Sequence, residues 1–285
     1  MSKLIILAGG ISSRMKKPVS SELNIDEKLL KEAETKAKSM LSVGKNERPF
    51  MDYLLYNAEE AGFRDVLIIL NEKDDSIKSY YGFKDEGNDF SGLKIGYAVQ
   101  KIPEGRVKPL GTADALLQGL QQKKEWKGSK FVVCNSDNLY SVNALKLLLN
   151  DEHLSSLIDY NRDALEFERS RILRFAVITR NEERYLTDII EKPNDEELEM
   201  AKDKNGVIGV SMNIFSFSYD LIYPYLERTP THPVRNEKEI PSALKIMIKE
   251  NPQSMYCYPL SEHVPDLTAK EDIPAVKKYL QEKFK

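Results

Sequence analysis

Three short runs of apolar residues constrain this chain most. They are Lys3–Ala8 (KLIILA), Asp65–Asn71 (DVLIILN) and Lys130–Asn135 (KFVVCN). A strand with one wet face alternates polar and apolar residues. These runs do not alternate, so both of their faces must be covered, as in a parallel strand between two layers of helices. Helical patterns lie between them. Phe50–Ala61 places Met51, Leu54, Leu55, Ala58 and Ala61 at helical spacing, and Gly62 follows as a stop. Thr112–Lys124 opens on a capping-type Thr and carries Ala115, Leu116 and Leu120 on one side. Ser141–Asn150 repeats the pattern. Strand, helix and strand in this order predict an α/β fold with a parallel sheet.

The second half reads as more mixed. Strands are expected over Arg171–Thr179, Tyr185–Glu191, Val207–Phe217 and Met255–Leu260, and helices over Ser218–Leu226, Lys238–Glu250 and Lys270–Phe284. Lys17–Ser39 is polar, yet Ile25, Leu29, Leu30, Ala33, Ala37 and Met40 recur at helical spacing, which predicts an amphipathic helix inserted after the first strand. No linker, low-complexity tract or repeat divides the 285 residues, so one domain over 1–285 is expected.

Composition narrows the partners. Lys and Arg number 42 against 45 Asp and Glu, a net charge of −3, which argues against a nucleic-acid-coating protein. The two cysteines make no disulfide framework, and both read as buried thiols. The three histidines are far apart, without metal-ligand spacing. The apolar start is too short for a signal segment, and no run approaches the roughly 20 residues of a membrane helix, so a cytoplasmic protein without membrane contact is expected.

Several segments carry chemistry. The first strand ends in Leu7-Ala8-Gly9-Gly10-Ile11-Ser12-Ser13-Arg14. Glycines there bring backbone N–H groups close to an anion, and Arg14 can fork onto phosphate oxygens. This is the edge of an open α/β sheet on which ligands bind. Gly111-Thr112 opens a helix, where close approach of a flat ligand and a favourable dipole are expected. By themselves these two residues read as an ordinary cap. Asp137, in Asn135-Ser136-Asp137-Asn138, follows a buried strand and suits a Mg²⁺ ligand or a turn. Glu191-Lys192-Pro193 closes an apolar strand; the pair can form a surface ion pair, or offer an acceptor to sugar hydroxyls and a cation to a phosphate. Asn213 lies in a strand with small and polar residues on one face, and Asp266 precedes the last helix, where alone it reads as a turn.

In this order the segments LAGGISSRM (7–15), KSMLSVG (38–44), GTADAL (111–116), NSDN (135–138), EKP (191–193) and DLTAKED (266–272) resemble the sugar-1-phosphate nucleotidyltransferases. Each motif is weak alone; six in sequence across nearly the whole chain are specific. The resemblance implies a Rossmann-like three-layer sandwich with a mostly parallel mixed sheet, of the GT-A-like kind. Residues 1–150 would be the nucleotide-binding half, interrupted by a helical insertion at about 17–37, and 151–285 the sugar-phosphate half. Leu7, Ala8, Gly9, Gly10 and Arg14 would line the nucleotide and its phosphates, and Gln100, Gly111 and Thr112 would face the base. Lys38 would neutralise phosphate charge, Asp137 and Asp266 would share Mg²⁺, and Glu191, Lys192 and Asn213 would hold the sugar phosphate. Arg14, Lys38, Asp137 and Lys192 are the catalytic candidates. Where many members have Pro before the loop lysine, Ala37 stands here, and Lys38 falls at the end of a helix-patterned stretch, which fits a solvated lysine too.

The reaction implied is attack of a sugar-1-phosphate on a nucleoside triphosphate, with Mg²⁺, giving an NDP-sugar and pyrophosphate. Alternatives are a cytidylyltransferase acting on a non-sugar phosphate such as phosphocholine, and a non-catalytic nucleotide-binding regulatory homologue. A glycosyltransferase of similar fold is disfavoured, because the strand end reads Asn135-Ser136-Asp137 and lacks the Asp-x-Asp metal motif. A homo-oligomer is compatible with the sequence. Base, sugar and the role of the insertion stay open at this level.

Overall fold

A computed structural model describes residues 2–17 and 25–284. In chain order its elements are β1 (Lys3–Leu7), α1 (Glu27–Thr35), α2 (Phe50–Ala61), β2 (Asp65–Asn71), α3 (Ser76–Tyr81), β3 (Asn88–Phe90), β4 (Leu93–Gln100), α4 (Thr112–Gln122), β5 (Lys130–Asn135), α5 (Val142–Leu149) and β6 (Ser155–Asn161). Then follow α6 (Arg169–Ile172), β7 (Val177–Arg180), β8 (Leu186–Ile190), α7 (Asp195–Met200), β9 (Gly209–Val210), β10 (Ile214–Ser218), α8 (Tyr219–Arg228), α9 (Ile240–Glu250), β11 (Met255–Leu260) and α10 (Ile273–Lys283).

The strands form one 11-stranded mixed sheet in the order β3-β4-β2-β1-β5-β10-β6-β9-β7-β8, with β11 on the other edge of β6. Strands β4, β2, β1 and β5 run parallel, Leu4 lying opposite Val66 on one side and Val132 on the other. Beyond β5 the pairing is antiparallel except for β6 with β11. The parallel character is thus concentrated in the first half.

The unalternating runs are buried on both faces, as their pattern requires. Leu4, Ile6 and Ala8 pack into one core with Leu29, Ala33 and residues of α2, α5 and α10. Ile5 and Leu7 point the other way, into a second core with α4, α8 and α9. The result is a three-layer α/β/α sandwich. Cys134 and Cys257 are free and buried. No helix of the described residues is long and apolar enough to cross a membrane.

Three expectations are corrected. Arg171–Thr179 does not run as one strand: it starts in the short helix α6, because Arg171 turns inward to the carboxylates of Asp266 and Asp272. Val207–Phe217 is broken into β9 and β10, where Asn213 takes a positive φ of 57° and leaves the ladder. The amphipathic stretch forms a helix only over Glu27–Thr35, so Lys38 is not helical in its continuation but sits in a separate 3-10 turn; residues 18–24 of the expected insertion lie outside the described residues. Strands β4 and β6 carry no clean pattern. Buried Ser155, Ser156 and Asp159 interrupt β6, Asp159 being paired with Arg180 at 2.9 Å and Arg184 at 3.0 Å.

Candidate active site

The loops after β1, β4 and β5 open onto a cleft of about 550 Å³, closed on its far side by residues of the second half. Leu7 and the whole glycine loop line it. Ala8 still donates to the Ile69 carbonyl at 2.9 Å, and then the ladder stops. The N–H groups of Gly9 through Arg14 find no acceptor among the described residues. The loop is held from outside: Asn71 Nδ2 donates to the Gly9 carbonyl at 3.1 Å, and the Lys38 N–H reaches Ser12 Oγ at 3.3 Å. Unpaired donors at a parallel strand end, with Arg14 exposed beside them, form a cradle for an anion. Asn71 was not singled out in the sequence; its only signal is a polar residue closing an apolar strand.

Gln100, Gly111 and Thr112 make the adjoining wall. Gly111 has a φ of 112°, and a Cβ there would lie 2.3 Å from the Lys238 carbonyl oxygen. A crossing main chain therefore already demands glycine here, on a residue that also lines the cleft. The same carbonyl accepts from Ala113 N–H at 3.0 Å, and Thr112 Oγ1 accepts from Ile240 N–H at 3.1 Å. The first turn of α4 is thus capped by the approach to α9, and the second half is locked onto the first at this point.

Asp137 and Thr268 line the cleft floor, and Asp266 lies beneath them without lining the cleft. Leu139 N–H donates to the Pro265 carbonyl and Leu267 N–H to the Asp137 carbonyl, at 2.9 and 2.8 Å, which draws Asp266 beside Asp137. Thr268 Oγ1 lies between them, 3.1 Å from Asp137 Oδ2 and also in reach of Asp266 Oδ1. The Lys38 ammonium bonds Asp137 Oδ2. Lys38 therefore lines the cleft and is not a solvated helical lysine. Ala37 has φ −56° and ψ 140°, a conformation proline also adopts, so the missing Pro leaves the lysine in place. Asp266 is behind Thr268, its Oδ2 held by Arg171 Nη2 at 2.8 Å.

Burial opposes ionisation of Asp137, but the charge and hydrogen bond of Lys38, with help from Thr268, hold its pKa below the ordinary carboxylate value. Burial and the like charge of Asp137 push Asp266 up to about 6, against the pull of Arg171. Two carboxylates with crowded negative charge, joined by a hydroxyl, are a donor set that fits a hard divalent cation. Among the described residues no group of three or more His, Cys, Asp or Glu is arranged to hold a metal. The pair alone would leave most coordination positions to water and substrate oxygens, as Mg²⁺ commonly requires.

Glu191, Lys192 and Asn213 line the far end of the cleft. Lys192 and Asn213 both have positive φ, 49° and 57°. The Asn213 turn is pinned by the buried Tyr140 hydroxyl, which bonds the Met212 carbonyl at 2.7 Å and lies 3.2 Å from that of Asn213. The structure adds residues that sequence reading missed: Lys108, Arg174, Phe175, Arg235, Glu237 and Glu239. Arg235 bonds Glu191 and lies 2.9 Å from Glu239 Oε2. Burial pushes Glu239 up to about 7; Arg235 opposes this, and Glu191 and Glu237 add to it. No motif marked these positions, because each stands alone in a loop that reaches the cleft only through the fold.

The sequence profile of the nucleotidyl transferase family matches residues 3–263. The chain belongs to this family. Among curated proteins it is similar to a glucose-1-phosphate adenylyltransferase of Paraburkholderia phymatum, 28% identical over 182 residues, 62% of this chain and 42% of the relative. It is also similar to a D-glycero-alpha-D-manno-heptose 1-phosphate guanylyltransferase of Campylobacter jejuni, 28% identical over 162 residues, 55% of this chain and 59% of the relative. The chain spans about half the length of these curated relatives. A crystal structure of UDP-glucose pyrophosphorylase complexed with UDP-glucose superposes with a TM-score of 0.70, covering 99% of both chains at 18% identity. At that identity the likeness is one of fold, and it includes both halves of the sheet.

Proposed function

We propose that this nucleotidyl transferase family member moves a nucleotidyl group from a nucleoside triphosphate to a sugar-1-phosphate, with Mg²⁺, releasing pyrophosphate. One observation carries the reading: a single cleft gathers a glycine loop whose N–H groups find no acceptor among the described residues, the Lys38–Asp137–Thr268 cluster with Asp266 behind it, and the cations Lys108, Arg174, Lys192 and Arg235. Such a cleft is built for two anionic partners with a charged centre between them.

The chemistry needs no protein nucleophile. An anionic oxygen of the sugar phosphate forms a bond to the α-phosphorus, and the bond from that phosphorus to the oxygen bridging to the β-phosphate breaks, so pyrophosphate carries the electron pair away. Mutual repulsion of the two polyanions is the barrier the protein must lower, by positioning and fixed positive charge. The glycine loop and Arg14 would hold the triphosphate. Lys38, anchored on Asp137, would keep its ammonium where negative charge gathers. Lys192, with Arg174 and Arg235 nearby, would bind the sugar phosphate, and Glu191 and Asn213 would accept and donate hydrogen bonds to its hydroxyls. Mg²⁺ held by Asp137 and Asp266 would neutralise phosphate oxygens.

Pyrophosphate release with Mg²⁺ tests this, pairing each of UTP, dTTP, GTP, CTP and ATP with a pool of hexose-1-phosphates. Release that requires both substrates supports the reading and names the base. Release with phosphocholine alone, or none with any pair from folded protein, overturns it.

A further inference from the structure

Helix α4 carries Asp114, Gln118 and Gln122 four residues apart, so all three share one face. That face lies along the outer edge of β4, past the Leu93–Ile95 stretch that β3 pairs. Gln122 pairs both backbone groups of Val99, accepting at 3.1 Å and donating at 3.0 Å. Gln118 does the same for Lys101, at 2.8 and 3.2 Å. Side-chain amides here stand in for a neighbouring strand and cover an open edge. Gln118 Nε2 then reaches Asp114 Oδ2 at 2.9 Å.

The ladder ends on Gln100, the residue of β4 between the two that it pairs. Gln100 is 2% exposed. Its Nε2 donates to Asp114 Oδ2 at 2.7 Å and to the Gly111 carbonyl at 3.0 Å. Both partners are acceptors, so the amide nitrogen must face them and its two hydrogens are spent. The carbonyl oxygen is turned the other way and accepts no hydrogen bond from the described residues. It lies 3.0 Å from where a Cβ on Gly9 would sit, at the junction of the cradle and the wall. Asp114 itself does not line the cleft.

From this we infer that Asp114 is a positioning residue that locks Gln100 as a fixed hydrogen-bond acceptor, so that the cleft selects nucleotides by an N–H donor on the base edge. The inference rests on the nucleotide reading of the cleft given above. A free glutamine can flip its amide and offer either a donor or an acceptor. A locked one rejects a ring nitrogen lone pair placed opposite it, because two acceptors then face each other without a proton between them. The stripe Asp114-x₃-Gln118-x₃-Gln122 thus joins edge protection to base choice.

The test uses Asp114→Leu, which removes the acceptor at similar size, and Asp114→Asn, which keeps one. Equilibrium binding of the five triphosphates, and of inorganic tripolyphosphate, is measured on the full chain. With Asp114→Leu the tightest nucleotide should weaken by about tenfold, the worth of one buried hydrogen bond, and the spread among the five should narrow. Tripolyphosphate affinity should not change, and Asp114→Asn should stay close to wild type. Methylating the edge N–H of the tightest nucleotide should weaken it as much in wild type as the leucine variant does. A second readout needs no ligand: the Gln100 side-chain NH₂ should be protected from solvent exchange in wild type and Asp114→Asn, and lose protection in Asp114→Leu. An unchanged spread in Asp114→Leu, or equal loss for tripolyphosphate, would overturn the inference. Equal affinity of wild type for all five would overturn it while leaving the transfer reaction intact. Absence of any triphosphate binding would overturn both.

Discussion

The two halves of the cleft are made from different materials. The first half is built of main chain: parallel strand ends, a glycine loop whose N–H groups find no acceptor among the described residues, and one helix start. The second half is built of side chains held by long-range pairs and by turns with positive φ at Lys192 and Asn213. Main-chain sites follow from strand order and glycine placement, so they leave local signals in the sequence. Side-chain sites depend on which distant loops the fold brings together. Under the proposed transfer, the first half would fix the reaction and the second the acceptor.

The largest expected effect lies where the halves join. Lys38→Ala and Asp137→Ala should each lower kcat/KM by about 100-fold or more, the usual cost of losing one preorganised charge contact. Circular dichroism should show both variants folded. Full activity of Lys38→Ala would leave that lysine without the role given to it. Next comes Gly111→Ala, at a φ that L-residues rarely adopt and with a backbone oxygen 2.3 Å from the added carbon. It should cost about 2–3 kcal/mol in denaturant unfolding, and it should also loosen the Lys238 crossing. A neutral effect would mean the halves are not tied at that point.

Arg235→Ala separates the halves more gently. Without it Glu191 loses its partner, and KM for the sugar phosphate should rise about tenfold, with KM for the nucleotide unchanged. Equal changes in both would blur the division. The smallest effect is on pH dependence. Glu239, raised to about 7 from an ordinary 4.5, is protonated below that value and leaves Arg235 less neutralised. Acceptor affinity should therefore fall as pH rises through 7. Glu239→Gln lacks this titration, so the ratio of the wild-type KM to that of the variant should rise across the same window, the substrate's own titration cancelling. The same raised pKa means that this group favours the folded state at low pH, an advantage lost between pH 4.5 and 7. A wild-type profile parallel to that of the glutamine variant would remove Glu239 from the acceptor site.

How far the sequence could be read follows the same division. The runs around Ile6, Ile68 and Val133 announced buried parallel strands because a strand covered on both faces has no polar alternation. Strand β6 was silent, since its buried Asp159 needs Arg180 and Arg184 from later in the chain. The glycine loop, Gln100, Asp137 and Lys192 were nameable, and the fold does bring them to one cleft. Lys38 was ambiguous because the pattern of α1 ran up to it, and only the turn after Thr35 separates them. Arg235 and Glu239 were invisible, as single charged residues between α8 and α9 look like any solvated loop. Gly111 lines the cleft as its motif implies, but no local signal reports that Lys238 crosses there.

A single-turnover experiment with an α-³²P-labelled triphosphate, a sugar-1-phosphate and Mg²⁺ tests the joint site most directly. The label should appear in a nucleotide sugar, with one pyrophosphate released per label and none carried on the protein. Label remaining in the triphosphate, or trapped covalently on the chain, would contradict it.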